Sequence, residues 1–322
     1  MSDGRSCMDH KIPTWGGRLY TMVGAVGKWL MLCGGYDYKD CRKLDMTQAS
    51  PSWAAAPELP YNNRHGVMHS YGGYIYVIYG YVVHYGCRNW HYRLAENGNS
   101  WQSRASHPIS TYGSRSVVDE PNGRVFTLGG HDCSNHRSEV YYYTFSTNQW
   151  THHSNMPRAR YYKSATIIKQ KNGERWLMSQ DRDYVELYYY NLDQNSGWHH
   201  VTNQPFKQSH YMFMVSLTPY TAFMMGAWTN VRSTSRQNFW SYNPEHYKFE
   251  SINRNVQTEH SYGYWTTTAK NWTVLNNCNA ERTYVAVGWG GDHGYVSFSK
   301  TVRNIISNII LHLHRMLSGV FC

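Results

Sequence analysis

No run of basic residues, no zinc-type cysteine spacing and no apolar run long enough to be read as a membrane span occurs in this 322-residue chain. Each absence removes a class of function. The 31 Lys and Arg against 21 Asp and Glu give a net charge of +10, but they are dispersed and carry no nucleic-acid motif. Nucleic acid is therefore not the expected partner. The seven cysteines, at 7, 33, 41, 87, 133, 278 and 322, include no two separated by two to four residues, which excludes the usual zinc ligand pairs, and an odd number cannot be fully paired within one chain. Met1 to Pro13 is polar and has no apolar core after its charges, so it does not read as a secretory signal. Nucleophile elbow, phosphate-binding glycine loop and His-Glu-x-x-His are all missing, and no pair of acids sets one carboxylate against another. No catalytic residue and no cofactor is therefore expected.

The 18 histidines invite a metal reading through His152-His153, His199-His200, and His312 with His314. Adjacent residues on a strand point to opposite faces, and two residues apart on a helix is a rotation of about 200°. None of these pairs converges, and no metal site is expected.

What the chain does have is 29 Tyr, 13 Trp and 26 Gly, with 41% hydrophobic and 16% charged residues. That composition suits short strands and tight turns and argues against disorder. The stretch Arg124 to Arg160 shows the unit. An apolar strand, Val125 to Leu128, ends in Gly129-Gly130; a polar loop leads to Val140 to Phe145; a Ser-Thr-Asn turn follows; Trp150 opens a third strand that stops at Met156-Pro157. Arg158 or Arg160 leads into a fourth, about Ser164 to Lys169. The large aromatic recurs as Trp53, Trp101, Trp150, Trp198, Phe249 and Phe298, at separations of 48, 49, 48, 51 and 49 by subtraction. Tyr92, Tyr143, Tyr190 and Tyr242 precede four of the six by seven to nine residues. A period near 50 with four short strands per unit is that of a propeller blade, not of a helical repeat.

With its diglycine at a strand end, Tyr on the next strand and Trp on the one after, the chain resembles the kelch-repeat family, over about residues 15 to 300. The motif is clean in Leu32 to Asp37 and Leu128 to Asp132 and degraded elsewhere: Tyr79 stands before Gly80, Gly226 before Ala227, and Asp181-Arg182 where another pair would be. In the last unit the period points to Asn277-Cys278 while an intact Gly290-Gly291 lies later. The resemblance implies an all-β, six-bladed propeller of four-stranded antiparallel blades, each contiguous in sequence. The blades would run from 15 to about 59, then 60–106, 107–157, 158–205, 206–257 and 258–300, with Leu19 to Val23 as the first innermost strand. Gly72-Gly73, Asn122-Gly123 and Asn172-Gly173 fall where two-residue hairpins are needed. Residues 1–14 read as a tail. Residues 301–322, with Ile306, Ile309, Ile310, Leu313, Leu317 and Val320 at three- and four-residue steps, read as a C-terminal amphipathic helix expected to pack on the propeller.

A propeller's strands are occupied by blade-to-blade packing, which leaves function to the loops. In the kelch scheme the links between blades gather on one face and carry Tyr61, Arg64, Tyr112, Arg115, Arg158, Arg160, Tyr161, Lys207, His210 and His260. Arg and Tyr are common interface anchors. The expected function is therefore a non-enzymatic module presenting a basic, aromatic face to a protein or peptide, an acidic one among the candidates. The alternative is a carbohydrate-active kelch enzyme of the copper-radical oxidase or sugar epimerase type, since some kelch propellers are such enzymes. Cys33 ends one strand and Cys41 opens the next, so a disulfide between them is geometrically open and would suggest an oxidising compartment. Asn271-Trp272-Thr273 is a glycosylation sequon. Without a leader the cytoplasm is the default expectation; an incomplete N-terminus and an oxidised Cys33-Cys41 pair would make it extracellular.

Overall fold

Turn chemistry sets the hairpins. Gly72 and Gly73 take positive φ, 57° and 76°, which costs glycine nothing sterically, and they return one strand directly onto the next. The computed structural model describes residues 22–35, 38–45, 52–78, 80–161, 164–170, 172–180 and 186–200 in full, and backbone strands beyond them as far as residue 299.

The first sheet consists of Met22–Val26 (β1), Trp29–Cys33 (β2), Cys41–Asp45 (β3) and Trp53–Ala56 (β4), hydrogen-bonded in sequence order. The second begins with Val67–Tyr71 (β5) and Tyr74–Ile78 (β6). A small separate hairpin, Tyr81–Val82 (β7) and Gly86–Cys87 (β8), then intervenes before His91–Ala95 (β9) and Gln102–Arg104 (β10) complete that sheet. The third is Arg115–Asp119 (β11), Arg124–His131 (β12), His136–Thr144 (β13) and Gln149–Asn155 (β14). Ser164–Lys169 (β15), Arg175–Gln180 (β16), Glu186–Asn191 (β17) and Trp198–Asn203 (β18) form the fourth. Phe213–Thr218 (β19), Thr221–Met225 (β20), Trp240–Asn243 (β21) and Lys248–Ser251 (β22) form the fifth. All are antiparallel four-stranded sheets, and each lies inside one expected blade. The region expected to form a sixth holds two separate hairpins, Tyr262–Trp265 (β23) with Trp272–Leu275 (β24), and Tyr284–Gly290 (β25) with His293–Ser299 (β26). β25 ends at Gly290, so the intact Gly290-Gly291 pair does close a strand. The first strands of successive sheets, β1, β5, β11, β15 and β19, are neighbours in that order, and β25 lies beside both β19 and β1. The tail over 1–14 and the helix over 301–322 fall outside the described residues.

Two turns differ from expectation. Asn122-Gly123 is not a two-residue hairpin: Pro121 sits in a 3₁₀ turn over Glu120–Asn122, which Gly123 closes in the left-handed region at φ 57°. Proline's fixed φ suits a first helical turn, and it lengthens the link. In the next sheet the Asn172 side chain accepts the Glu174 N–H at 3.1 Å, and Gly173 donates to the Gln170 carbonyl at 2.9 Å. Asparagine's habit of bonding backbone two residues on builds a wider loop here.

The repeated aromatics join sheet to sheet. Tyr143 is directly opposite Trp150 across β13 and β14, and Tyr190 opposite Trp198 across β17 and β18. Each Trp then uses its indole N–H on the preceding sheet: Trp101 donates to the Pro57 carbonyl at 3.0 Å, Trp150 to the Ala105 carbonyl at 2.9 Å, and Trp198 to the Ser154 hydroxyl at 3.1 Å. A half-buried indole N–H is satisfied by such an acceptor, which suits Trp to this position in the second, third and fourth sheets. The apolar core lies between sheets, with Leu59, Met68 and Ile75 packed with the first sheet's Met22 and Met31, and Leu128, Val140 and Leu177 between the third and fourth.

The diglycines let the inter-sheet links pass close to strand ends. Gly35 donates to the Asn63 carbonyl at 3.0 Å and Gly130 to the Arg160 carbonyl at 2.9 Å, each reaching the link that leaves its own sheet. A Cβ on Gly80 would lie 2.5 Å from the Arg64 carbonyl oxygen. The position that the degraded Tyr79-Gly80 pair keeps is thus the one where no side chain fits.

Candidate aromatic docking face

In an antiparallel four-stranded sheet the second and fourth strands end on the same side. The loops joining second to third strands therefore gather on one face with the links between sheets. Among the described residues the most exposed large hydrophobic side chains are Tyr38, Tyr61 and Tyr85, at 46, 40 and 54%. All three belong to this face. Tyr38 is in the β2–β3 loop, Tyr61 in the link from the first sheet to the second, and Tyr85 at the tip of the β7–β8 hairpin.

The hairpin positions its rings through backbone bonds at its base. Arg64 and Tyr81 exchange N–H to carbonyl bonds at 3.1 and 2.9 Å, and Arg88 donates to the Gly80 carbonyl at 2.8 Å. Tyr61 then lies 4.4 Å from Trp90 and 6.3 Å from Tyr85 between ring centroids, and Tyr85 lies 6.2 Å from Trp90. The Arg88 guanidinium sits 5.5 Å from both Tyr85 and Trp90, and Arg64 lies 4.3 Å over Tyr81. Cations on ring faces gain electrostatically from the ring quadrupole, so this corner joins apolar area to fixed positive charge.

The ring series continues across the face. Tyr81 meets Tyr112 edge-on at 6.2 Å; Tyr112 reaches His65 at 5.6 Å, His131 at 5.1 Å and Tyr161 at 6.0 Å. His136 lies 4.9 Å from Tyr161. Burial, helped by the neighbouring Arg64 charge, lowers His65 to about 3, so its ring is neutral at physiological pH. Asp132 is held below the ordinary carboxylate range by the N–H groups of Asn135 and Ser134 and by Arg137.

A disulfide joins Cys33 to Cys41 at directly opposed positions on β2 and β3, both buried. A second joins Cys87, at the end of β8, to Cys133 in the β12–β13 loop, bridging two sheets across this face. Sequence reasoning anticipated the first and missed the second. Both are of the kind that persists in an oxidising compartment.

The structure brings Tyr61, Arg64, Tyr112 and Tyr161 into the ring series. Arg115 opens β11 and keeps part of its surface accessible, yet burial lowers its guanidinium to about 10. Arg158 forms a two-pronged ion pair with Glu186 on β17, Nε to Oε2 at 2.9 Å and Nη2 to Oε1 at 3.0 Å. Arg160 donates to its neighbour's Ala159 carbonyl at 2.8 Å, and its backbone N–H to the Arg137 carbonyl at 3.0 Å. Lys207, His210 and His260 lie outside the described residues.

No family model matches the chain, and no curated protein matches it.

The sequence reading overlooked Tyr38, Tyr85, Arg88 and Trp90. One signal for the last three was present: the span between second and third strands is residues 79–90 in the second sheet but 34–40 in the first, and the longer one is rich in aromatics. Among the described residues no three His, Cys, Asp or Glu side chains gather to hold a metal ion, and no helix is long and apolar enough to cross a membrane. The adjacent histidine pairs diverge: His152 is exposed against Tyr141 while His153 turns inward between Phe126 and Tyr190.

Proposed function

We propose that this protein is a six-bladed kelch-type propeller, working in an oxidising compartment as a non-enzymatic module that docks an acidic segment of a protein or peptide on its link face. The ring is supported by the sequential neighbours β1 to β19 and by β25, which lies beside β19 and β1 and also reaches β5. On these contacts the sixth unit's inner strand is β25, although it ends at Gly290, where the earlier diglycines end second strands.

The observation that carries the docking reading is the concentration of exposed Tyr61 and Tyr85 around Trp90 and the Arg88 guanidinium. Rigid aromatic rings supply contact area at small entropic cost and a desolvated arginine rewards a carboxylate, the composition of interface anchors. Lys39 with Glu58, Arg137 with Asp132 and Glu139, and Arg158 with Glu186 are paired within the face. Arg88 lies against rings instead, with its guanidinium donating to the backbone carbonyl of Cys87, which suits it to an incoming anion.

Selection of a random peptide library on the immobilised protein tests this. Enrichment of sequences with clustered Asp or Glu is expected, and a Tyr85→Ser/Arg88→Ser variant should bind the selected peptide at least ~10-fold more weakly, as for loss of an anchor. Selected peptides without acidic enrichment, or equal affinity for a folded variant, would overturn the reading.

A further inference from the structure

Two disulfides in one molecule occupy opposite environments. Cys33 and Cys41 are 0 and 1% exposed, opposed within one sheet and walled by the core. Cys133 is exposed, adopts the left-handed region at φ 73°, and is tied to a cysteine of a different sheet. The partner, Cys87, is the last residue of a hairpin with two residues in each strand. Hairpins this short are marginal on their own. Apart from the bridge, its base is fixed by the Arg64–Tyr81 exchange, the Arg88 bond to Gly80 and the burial of Val82 in the core between the first and second sheets, and its tip by the packing of Tyr85 against Tyr61 and Trp90.

We infer that the Cys87–Cys133 disulfide is a thiol-sensitive clasp that holds the Tyr85 hairpin in its docking position, so that opening it switches the face off. This rests on the docking reading for its consequence, though not for its chemistry. A low-molecular-weight thiol such as glutathione attacks, as thiolate, the sulfur of Cys133, the exposed residue of the pair. The S–S bond breaks, Cys87 leaves as thiolate and takes up a proton, and Cys133 carries the mixed disulfide. A second thiol attacks that bond, giving two protein thiols and one oxidised glutathione. Access governs such exchange, and the Cys33–Cys41 bond, between residues 0 and 1% exposed, offers the same thiol far less of it. Once open, the hairpin keeps its basal backbone bonds and the buried Val82, while its tip, Tyr85 to Cys87, loses its tie to the third sheet. Tyr85 is then free to leave Trp90, and with it goes the ring surface that Arg88 lies on.

The test uses the full chain, titrated with reduced glutathione and quenched by differential alkylation. Cys87–Cys133 is expected to open at least ~10-fold faster than Cys33–Cys41. Hydrogen exchange at residues 81–87 should accelerate by ~10-fold or more on opening, with β12 and β13 unchanged. Equal reduction rates for the two bonds, or unchanged exchange over 81–87 after selective opening, overturns the clasp. Binding of fluorescein-labelled hexaglutamate is measured on both forms, and a loss on reduction is the expected result. Equal binding by both forms overturns the switch. Absence of binding to the oxidised protein, with the clasp confirmed by exchange, removes the acidic-docking reading alone. A Cys87→Ser/Cys133→Ser variant should reproduce the reduced state and be insensitive to glutathione; if it does not fold, the chemical arm still decides.

Discussion

At the scale of single residues, Gly80 is fixed by the backbone beside it. Gly80 donates to the Asn63 side-chain oxygen at 3.0 Å while its Cα faces the Arg64 and His65 backbone. A methyl group there would have to displace the link that carries Arg64. Gly80→Ala should therefore cost about 1–3 kcal/mol, as overpacking against an unyielding neighbour does, and lower the midpoint of thermal unfolding. Unchanged stability would show that the link can move. Much at this scale was legible in the sequence. The Tyr and Trp register followed from spacing because one cross-strand pair recurs in the third and fourth sheets and one indole bond in the second to fourth. The exposed rings were less legible: Tyr85 and Trp90 reach Tyr61 only through an inserted hairpin, and the Cys87–Cys133 bridge spans 46 residues, a separation that no local pattern encodes. Arg158 looked like a partner contact from its position, and its pairing with Glu186 could not be seen without knowing which loop β17 brings to it.

At the scale of elements, the contact between the second and third sheets is a layer of histidine and aromatic rings. His69, on β5, stacks on Tyr76 at 5.4 Å; His91, on β9, meets Tyr143 edge-on at 4.7 Å; His107 meets Trp150 at 4.6 Å. Burial lowers His69 to about 3 and His107 to about 4, and it also holds His91 well below 6.5, with smaller contributions from His69, His107 and Arg104. Both ring nitrogens of His69 and the Nε2 of His91 have no hydrogen-bond partner. Folded pKa values lie below the unfolded value of 6.5, so below that pH the unfolded chain binds more protons than the folded one. Stability is fully present above pH ~6.5 and falls as pH drops toward 3. Unfolding temperature should therefore decline between pH 7 and pH 4, and His69→Phe, which keeps the stacked ring without the proton site, should make that decline shallower. An identical pH profile for the variant would show that His69 does not carry the effect. Turns were the least legible elements. Gly72-Gly73 gave the expected hairpin, whereas Pro121 and the Asn172 side chain redirected two Asn-Gly pairs into longer links.

At the scale of the whole molecule, the repeats matter because the four-stranded sheets place the described inter-sheet links on one side, and the proposed ring would convert those sides into a single face. The all-β class and the sheet boundaries up to residue 251 were readable from a period near 50, and in the second to fourth sheets the same indole contact to the preceding sheet recurs. The closing unit was not, because Gly290-Gly291 and the Asn277-Cys278 position offered two registers for the same stretch. Direct imaging of single particles by cryo-electron microscopy, viewed along the ring axis, tests this most directly. The account predicts a closed ring of six blades with the link loops and the Tyr85 hairpin on one face; a ring of five or seven, or an open row of sheets, would contradict it.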